Sequence, residues 1–210
     1  MIRPVRFCAL ALLGLVAGCS GGPVAETRYY TLSPPTGNEA GVATEETTAT
    51  AGEEGLAVGV DSIVVDPPYD QDRLVFRAGA QSVEVGFYNY HRWASPLSRL
   101  TATALAEGLR GTPGIATIEP AASGATYGAR LGGRLIYLEE VDRSGAQEVR
   151  VALDLELRDP TGRVIWSERL IESATVDVES VPEIVREAQV LFARLLERAR
   201  SEIAVALSTD

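Results

Sequence analysis

The chain has 210 residues, 46% of them hydrophobic, and sets 29 acidic against 19 basic side chains for a formal net charge of −10. That length supports one sizeable core, and the acidic balance disfavours nucleic acid as a partner. A single histidine and two cysteines leave metal and redox sites short of ligands.

Arg3 and Arg6 precede an apolar run from Phe7 to Val16, and Leu15, Val16, Ala17 and Gly18 lead to Cys19. A basic start, a short apolar stretch and small residues before a cysteine read as a secretory signal over residues 1–18, too short to span a bilayer. The ending resembles the lipobox of bacterial lipoproteins, which implies cleavage before Cys19 and attachment of acyl chains, palmitate among them, at that residue. Anchoring by more than one chain is stable. Removal of residues 1–18 takes two arginines and no acid, leaving 17 basic against 29 acidic side chains, or −12. A body so acidic is repelled by anionic headgroups, so membrane attachment falls to the lipid. Ser20 in place of an aspartate after the cysteine points to the outer membrane, facing the periplasm. With Cys19 lipidated, no thiol remains for a disulfide, and an ordinary core must hold the fold.

Residues 19–28 read as a tether, and residues 29–207 as one domain. Thr27 to Leu32, with Tyr29 and Tyr30, is expected to be a short strand returning to the sheet; the alternative is a domain that begins only at Leu56. From Ser33 to Gly55 the chain is Pro, Gly, Ala, Thr and Glu with almost no large apolar group, the composition of a flexible loop. Leu56 to Val65 is expected to be one strand, ended by Asp66, Pro67 and Pro68. Leu74 to Arg77 and Ser82 to Tyr88 read as a hairpin turning at residues 78–81. Ser95 and Pro96 mark a helix start, with Ser95 as N-cap, and Leu97, Leu100, Ala104, Leu105, Gly108 and Leu109 form its apolar stripe.

Ile115 to Ile118 and Tyr127 to Val141 read as strands. Val149, Val151, Leu153, Leu155 and Leu157 then alternate with Arg150, Asp154, Glu156 and Arg158, the pattern of a strand with one buried and one wet face. Asp159, Pro160, Thr161 and Gly162 form a turn, and Arg163 to Val178 returns antiparallel. Ser180 and Glu183 form a capping box, with Pro182 in the first turn, for a final helix whose buried face carries Ile184, Ala188, Leu191, Leu195, Ala199 and Ile203. Two helices and about seven strands predict an α/β fold of the two-layer α+β sandwich kind: a mostly antiparallel sheet with both helices packed on one face.

Catalytic chemistry has little to work with. His91 could pair with Asp70 or Asp72 and activate Ser95 or Ser98, but no serine lies in a nucleophile-elbow sequence, and a polar residue in the loop before a helix is the plainer reading. Glu139 and Glu140 are adjacent on a strand and so point to opposite faces; Asp70 and Asp72 suit a turn. No enzyme activity, no cofactor beyond the lipid on Cys19 and no metal are expected.

Cys19, the run Tyr29, Tyr30, Thr31 and Leu32, the stretch VDPPYDQDRLVFR from Val65 to Arg77, and Tyr90 to Leu109 with Arg92 and Trp93 leading into the helix together resemble the ABC-type transport auxiliary lipoproteins. The doubled Pro67 and Pro68 and the long 33–55 loop depart from that pattern. The resemblance implies a non-enzymatic subunit of an envelope system that moves lipids across the periplasm, with an ABC permease, an ATPase and an MCE-domain protein as partners and a homo-oligomeric ring as one possible state. Its role would be docking or handoff; the alternative is a carrier holding an acyl chain in its own cavity. Tyr69, Arg73 and Trp93 are the candidate partner-binding residues, since aromatic and arginine side chains near loops suit interfaces; otherwise Tyr69 and Trp93 are lids on the core.

Overall fold

A computed structural model describes residues 25–33, 55–79, 81–143, 146–177 and 180–209. The signal sequence, Cys19 and, apart from Ser33 and Gly55, the expected 33–55 loop lie outside the described residues.

The described residues form nine strands and two helices: β1 (Arg28–Tyr30), β2 (Leu56–Val60), β3 (Val64–Val65), β4 (Arg73–Arg77), β5 (Gly86–Trp93), α1 (Leu97–Gly108), β6 (Ile115–Pro120), β7 (Ala129–Asp142), β8 (Gln147–Arg158), β9 (Val164–Val176) and α2 (Val181–Ser208). All nine strands belong to one mixed sheet built around β7. Along one flank β7 pairs in succession with β2, β3 and β4, all parallel. Along the other it pairs antiparallel with β8, which pairs antiparallel with β9. β6 extends the sheet beyond β2, while β5 and then β1 extend it beyond β4. The antiparallel β7–β8–β9 ladders are the long ones, and their alternation follows from the strict apolar period of β8. Strand β1 pairs with β5, so the Tyr29 segment does return to the sheet.

Both helices cover one face: α1 lies over β2, β3 and β6, α2 over β8 and β9, and they touch each other. α2 has 28 residues, about 42 Å at ~1.5 Å per residue, and buries Ile184, Ala188, Leu191, Phe192, Leu195, Ala199 and Ile203 against the sheet. Ser180 precedes it, but its hydroxyl bonds the Glu183 carboxylate (2.6 Å) and not a backbone N–H.

Several boundaries differ from expectation. The single strand expected over residues 56–65 is two strands, because Val58 and Val60 point into the core and so do Ile63 and, partly, Val65. That change of parity needs one extra residue, and the pairing offset to β7 shifts by one between Val60↔Leu131 and Val64↔Arg134. The second hairpin strand begins at Gly86, not Ser82: Gly86 sits under the Phe76 ring, where a Cβ would come within 2.2 Å, so pairing starts at Phe76↔Gly86. The strand then runs on through Asn89, His91 and Arg92, so His91 lies in β5 and not in a loop before the helix. α1 begins one residue later than expected. Pro96 is its N-cap, and its carbonyl accepts from the Arg99 and Leu100 N–H groups, with no cap from Ser95.

Candidate functional site

Between β3 and β4 the chain makes a tight turn: the Asp66 N–H reaches the Leu135 carbonyl (3.0 Å), the Tyr69 N–H reaches the Asp66 carbonyl (2.8 Å), and the Pro67–Pro68 bond is cis. The turn tucks Tyr69 inward, leaving it 4% exposed. Its hydroxyl donates to the Glu139 carboxylate (2.6 Å). Arg77 Nε, from β4, donates to both Glu139 oxygens (3.0 and 2.8 Å), Arg150 Nε, from β8, donates to one (2.8 Å), and Arg77 Nη2 approaches the Tyr69 hydroxyl (3.3 Å). The Glu139 side chain is wholly buried, and a buried carboxylate is tolerable only with such compensation. Burial, then the bond to Glu139, push the Tyr69 phenol up to about 12, so it remains a donor at neutral pH.

Glu140, one residue on, faces the helices. It accepts from the Tyr88 hydroxyl (2.5 Å) beside Leu138, Val149 and the first turns of α2. Burial raises its carboxyl above the usual carboxylate range, the Tyr88 bond opposes this, and Asp142 adds to it.

Trp93 is 5% exposed. It lines the small space that Leu74, Ile184, Val185 and Ala188 also line, and it borders an open groove of about 480 Å³. The rim of that groove carries Tyr29, 65% exposed, with Asp70, Asp72, Ser95 and Ser98. Asp72 pairs with Arg92 (2.5 Å). Arg73 is half-buried, with its guanidinium carbon 4.6 Å from the centre of the Phe87 ring and its Nε bonded to Gln71 (3.3 Å). Of the three candidates read from sequence, Tyr69 and Trp93 are therefore turned into the core, and Arg73 lies beside the groove, partly exposed.

His91 is held by the Tyr30 hydroxyl, 2.7 Å from Nδ1, with the two rings stacked and Tyr88 edge-on. Burial, then the charge of Arg28, lower its pKa. His91 is thus engaged by Tyr30 and Asp72 by Arg92, and among the described residues no hydrogen bond joins His91 to Asp70, Asp72, Ser95 or Ser98. Among the described residues, no three His, Cys, Asp or Glu side chains gather as a metal site would require.

Sequence reasoning missed a second surface. On the face of the sheet away from the helices, Gly132 leaves β7 without a side chain between Arg130 and Arg134, and an open trough of about 1070 Å³ forms there. At Gly133 a Cβ would fall 2.3 Å from the Asp154 carbonyl oxygen, so the β7–β8 ladder closes only around glycine. Arginines and acids alternate around the trough: Arg130 with Asp61, Arg134 with Asp66, Arg158 with Glu156, and Arg169 with Asp154 at 2.7 and 2.8 Å. The bond from Arg169 holds the Asp154 carboxyl below its usual range. The signal was the pair of glycines between Arg130 and Arg134, visible in the sequence but uninformative until the register to Glu156 and Asp154 is known.

Between sheet and helices, by contrast, the space lined by Leu74, Trp93, Leu138, Glu140 and Ile184 amounts to about 20 Å³, room for about one water. Small-molecule pockets run to several hundred Å³.

The model of the ABC-type transport auxiliary lipoprotein component family matches residues 30–199. The chain belongs to that family. The auxiliary lipoprotein's fold is shared with solved structures at low sequence identity. One, a crystal structure of an uncharacterized protein, superposes with a TM-score of 0.63 at 16% identity, covering 85% of this chain and 99% of the other. Another, protein XCC0632 from Xanthomonas campestris, gives 0.64 at 12% identity, covering 75% and 89%. At these identities the likeness is one of fold. Comparison with curated proteins gave no match. Among the described residues no helix of this auxiliary lipoprotein is long and apolar enough to cross a membrane.

Proposed function

We propose that this auxiliary lipoprotein is a non-enzymatic, outer-membrane subunit of an MCE-type ABC system that moves lipids across the periplasm, and that it acts in docking or handoff with the MCE-domain protein. The observation that carries this reading over the carrier alternative is the filled interior. An acyl chain sheltered inside the domain needs an apolar space between sheet and helices, and the space there is about 20 Å³. The open features lie outside, in the groove at Tyr29 and Asp70 and in the arginine–carboxylate trough. Paired charges at a protein interface set register and partner choice more than raw affinity, which suits a docking subunit. Anchoring falls to acyl chains on Cys19, and energy for transport to the ATPase of the same system.

Affinity purification of the lipidated protein from membranes, followed by mass spectrometry of the copurified proteins, tests the proposal. Recovery of an MCE-domain protein with its permease is the expected result. Purification that yields neither, from membranes in which both are present, contradicts it.

A further inference from the structure

Strand directions give the domain a polarity. β4 is parallel to β7, β5 antiparallel to β4, and β1 parallel to β5, so β1 runs opposite to β7. The chain thus enters β1 from the end of the sheet where β7 finishes at Asp142. That near end also holds the β4–β5 connection with Val83, the start of β8 at Gln147 paired with Val176 of β9, and the first turn of α2. The opposite end holds the Asp159–Gly162 turn, closed by the Gly162 N–H to the Asp159 carbonyl (3.0 Å), and the trough opens beside it. β8 has 12 residues, so the two ends are roughly 40 Å apart at ~3.4 Å per residue.

Cys19 lies nine residues before Arg28, a reach of at most about 32 Å when fully extended, and strand direction leads those residues in from the near end. Val83, on the connection at that end, is 94% exposed. An apolar side chain held out in this way loses nothing by meeting a lipid surface.

We infer that the domain stands on the bilayer by the end that carries Val83, and that it holds the arginine–carboxylate trough at the opposite end, away from the lipid, toward a protein partner in the aqueous space. This rests on lipid attachment at Cys19. The trough suits a protein surface carrying charges of both signs, because each of its arginines already has a carboxylate and an approaching partner must offer both. Height above the membrane would then decide which surface the transporter meets.

Energy transfer from a dye on the lipidated full chain to acceptor-labelled headgroups in phosphatidylethanolamine vesicles tests the inference. The dye is placed on Val83→Cys in one sample and on Pro160→Cys, an exposed position at the far tip, in another. Intact mass reports acylation of Cys19, flotation reports attachment, and an unchanged melting curve reports folding of each variant. Transfer several-fold greater from position 83 than from position 160 is expected. Equal transfer, or greater transfer from position 160, on acylated and floated protein overturns the orientation while leaving the anchor intact. An unacylated Cys19 removes the anchor and the orientation together.

Discussion

Glu139 and Glu140 are consecutive residues of β7 on opposite faces of one sheet, and both are buried. On the outer face Glu139 meets two guanidinium groups and a phenol. On the helix side Glu140 meets one phenol among apolar side chains. The first arrangement ties β4, β7, β8 and the Tyr69 turn together through a charge that is compensated where it sits. The second leaves a carboxyl whose ionised form is disfavoured, under the first turns of α2. The outer face is therefore held by matched charges and the inner face by packing, and the two respond differently to the loss of a side chain.

Substitution at the packed face has the largest expected effect. Phe192 is fully buried at the centre of α2, and Phe192→Ala is expected to lower unfolding free energy by about 4 kcal/mol in denaturant titration; a loss below about 1 kcal/mol would mean that the interior is loosely filled. Glu139→Ala comes next, at about 3 kcal/mol, because it strands Arg77, Arg150 and Tyr69 at once. Arg169→Ala, whose pair with Asp154 is exposed, is expected to leave the unfolding free energy nearly unchanged. Similar losses for the two would erase the distinction between the buried network and the trough. The smallest effect is a pH dependence. Burial lifts the Glu140 carboxyl in the folded state above its unfolded value, so the unfolded chain ionises first, and stability falls as pH rises from the ordinary carboxylate range through the raised value, then levels off. Glu140→Gln keeps a partner for Tyr88 and removes the ionisation. The variant should match the wild type in acid and melt at a higher temperature at neutral pH, and an unchanged slope of melting temperature with pH would count against the account.

Most of the fold was legible because the long elements obey simple periods. The apolar positions of β8 and of α2 fall where alternation and the 3.6-residue repeat put them, and Asp159 to Gly162 turns as its residue types require, with Gly162 at φ 90°. The less legible part was the wing formed by β1 to β5. There a one-residue irregularity splits β2 from β3, and the aromatic and polar run from Tyr88 to Trp93 carries no clean period although it is a strand. Strand length and register in that wing are set by contacts from distant residues, such as Phe76 over Gly86 and Tyr30 on His91. For the site, Tyr69 and Trp93 read either as partner-binding residues or as lids on the core, and sequence could not say that each turns inward, because Glu139 and Ile184, beside which they lie, are far along the chain. The trough was invisible for the same reason.

The central claim is that this lipoprotein works by its surfaces and not by carrying lipid inside. Its most direct test is the amount of phospholipid that remains with the purified domain, freed of its own acyl anchor and of detergent, measured by quantitative lipid extraction against protein concentration. A filled interior predicts phospholipid far below one molecule per chain, whereas one molecule per chain, retained through purification, would contradict the docking account and favour a carrier.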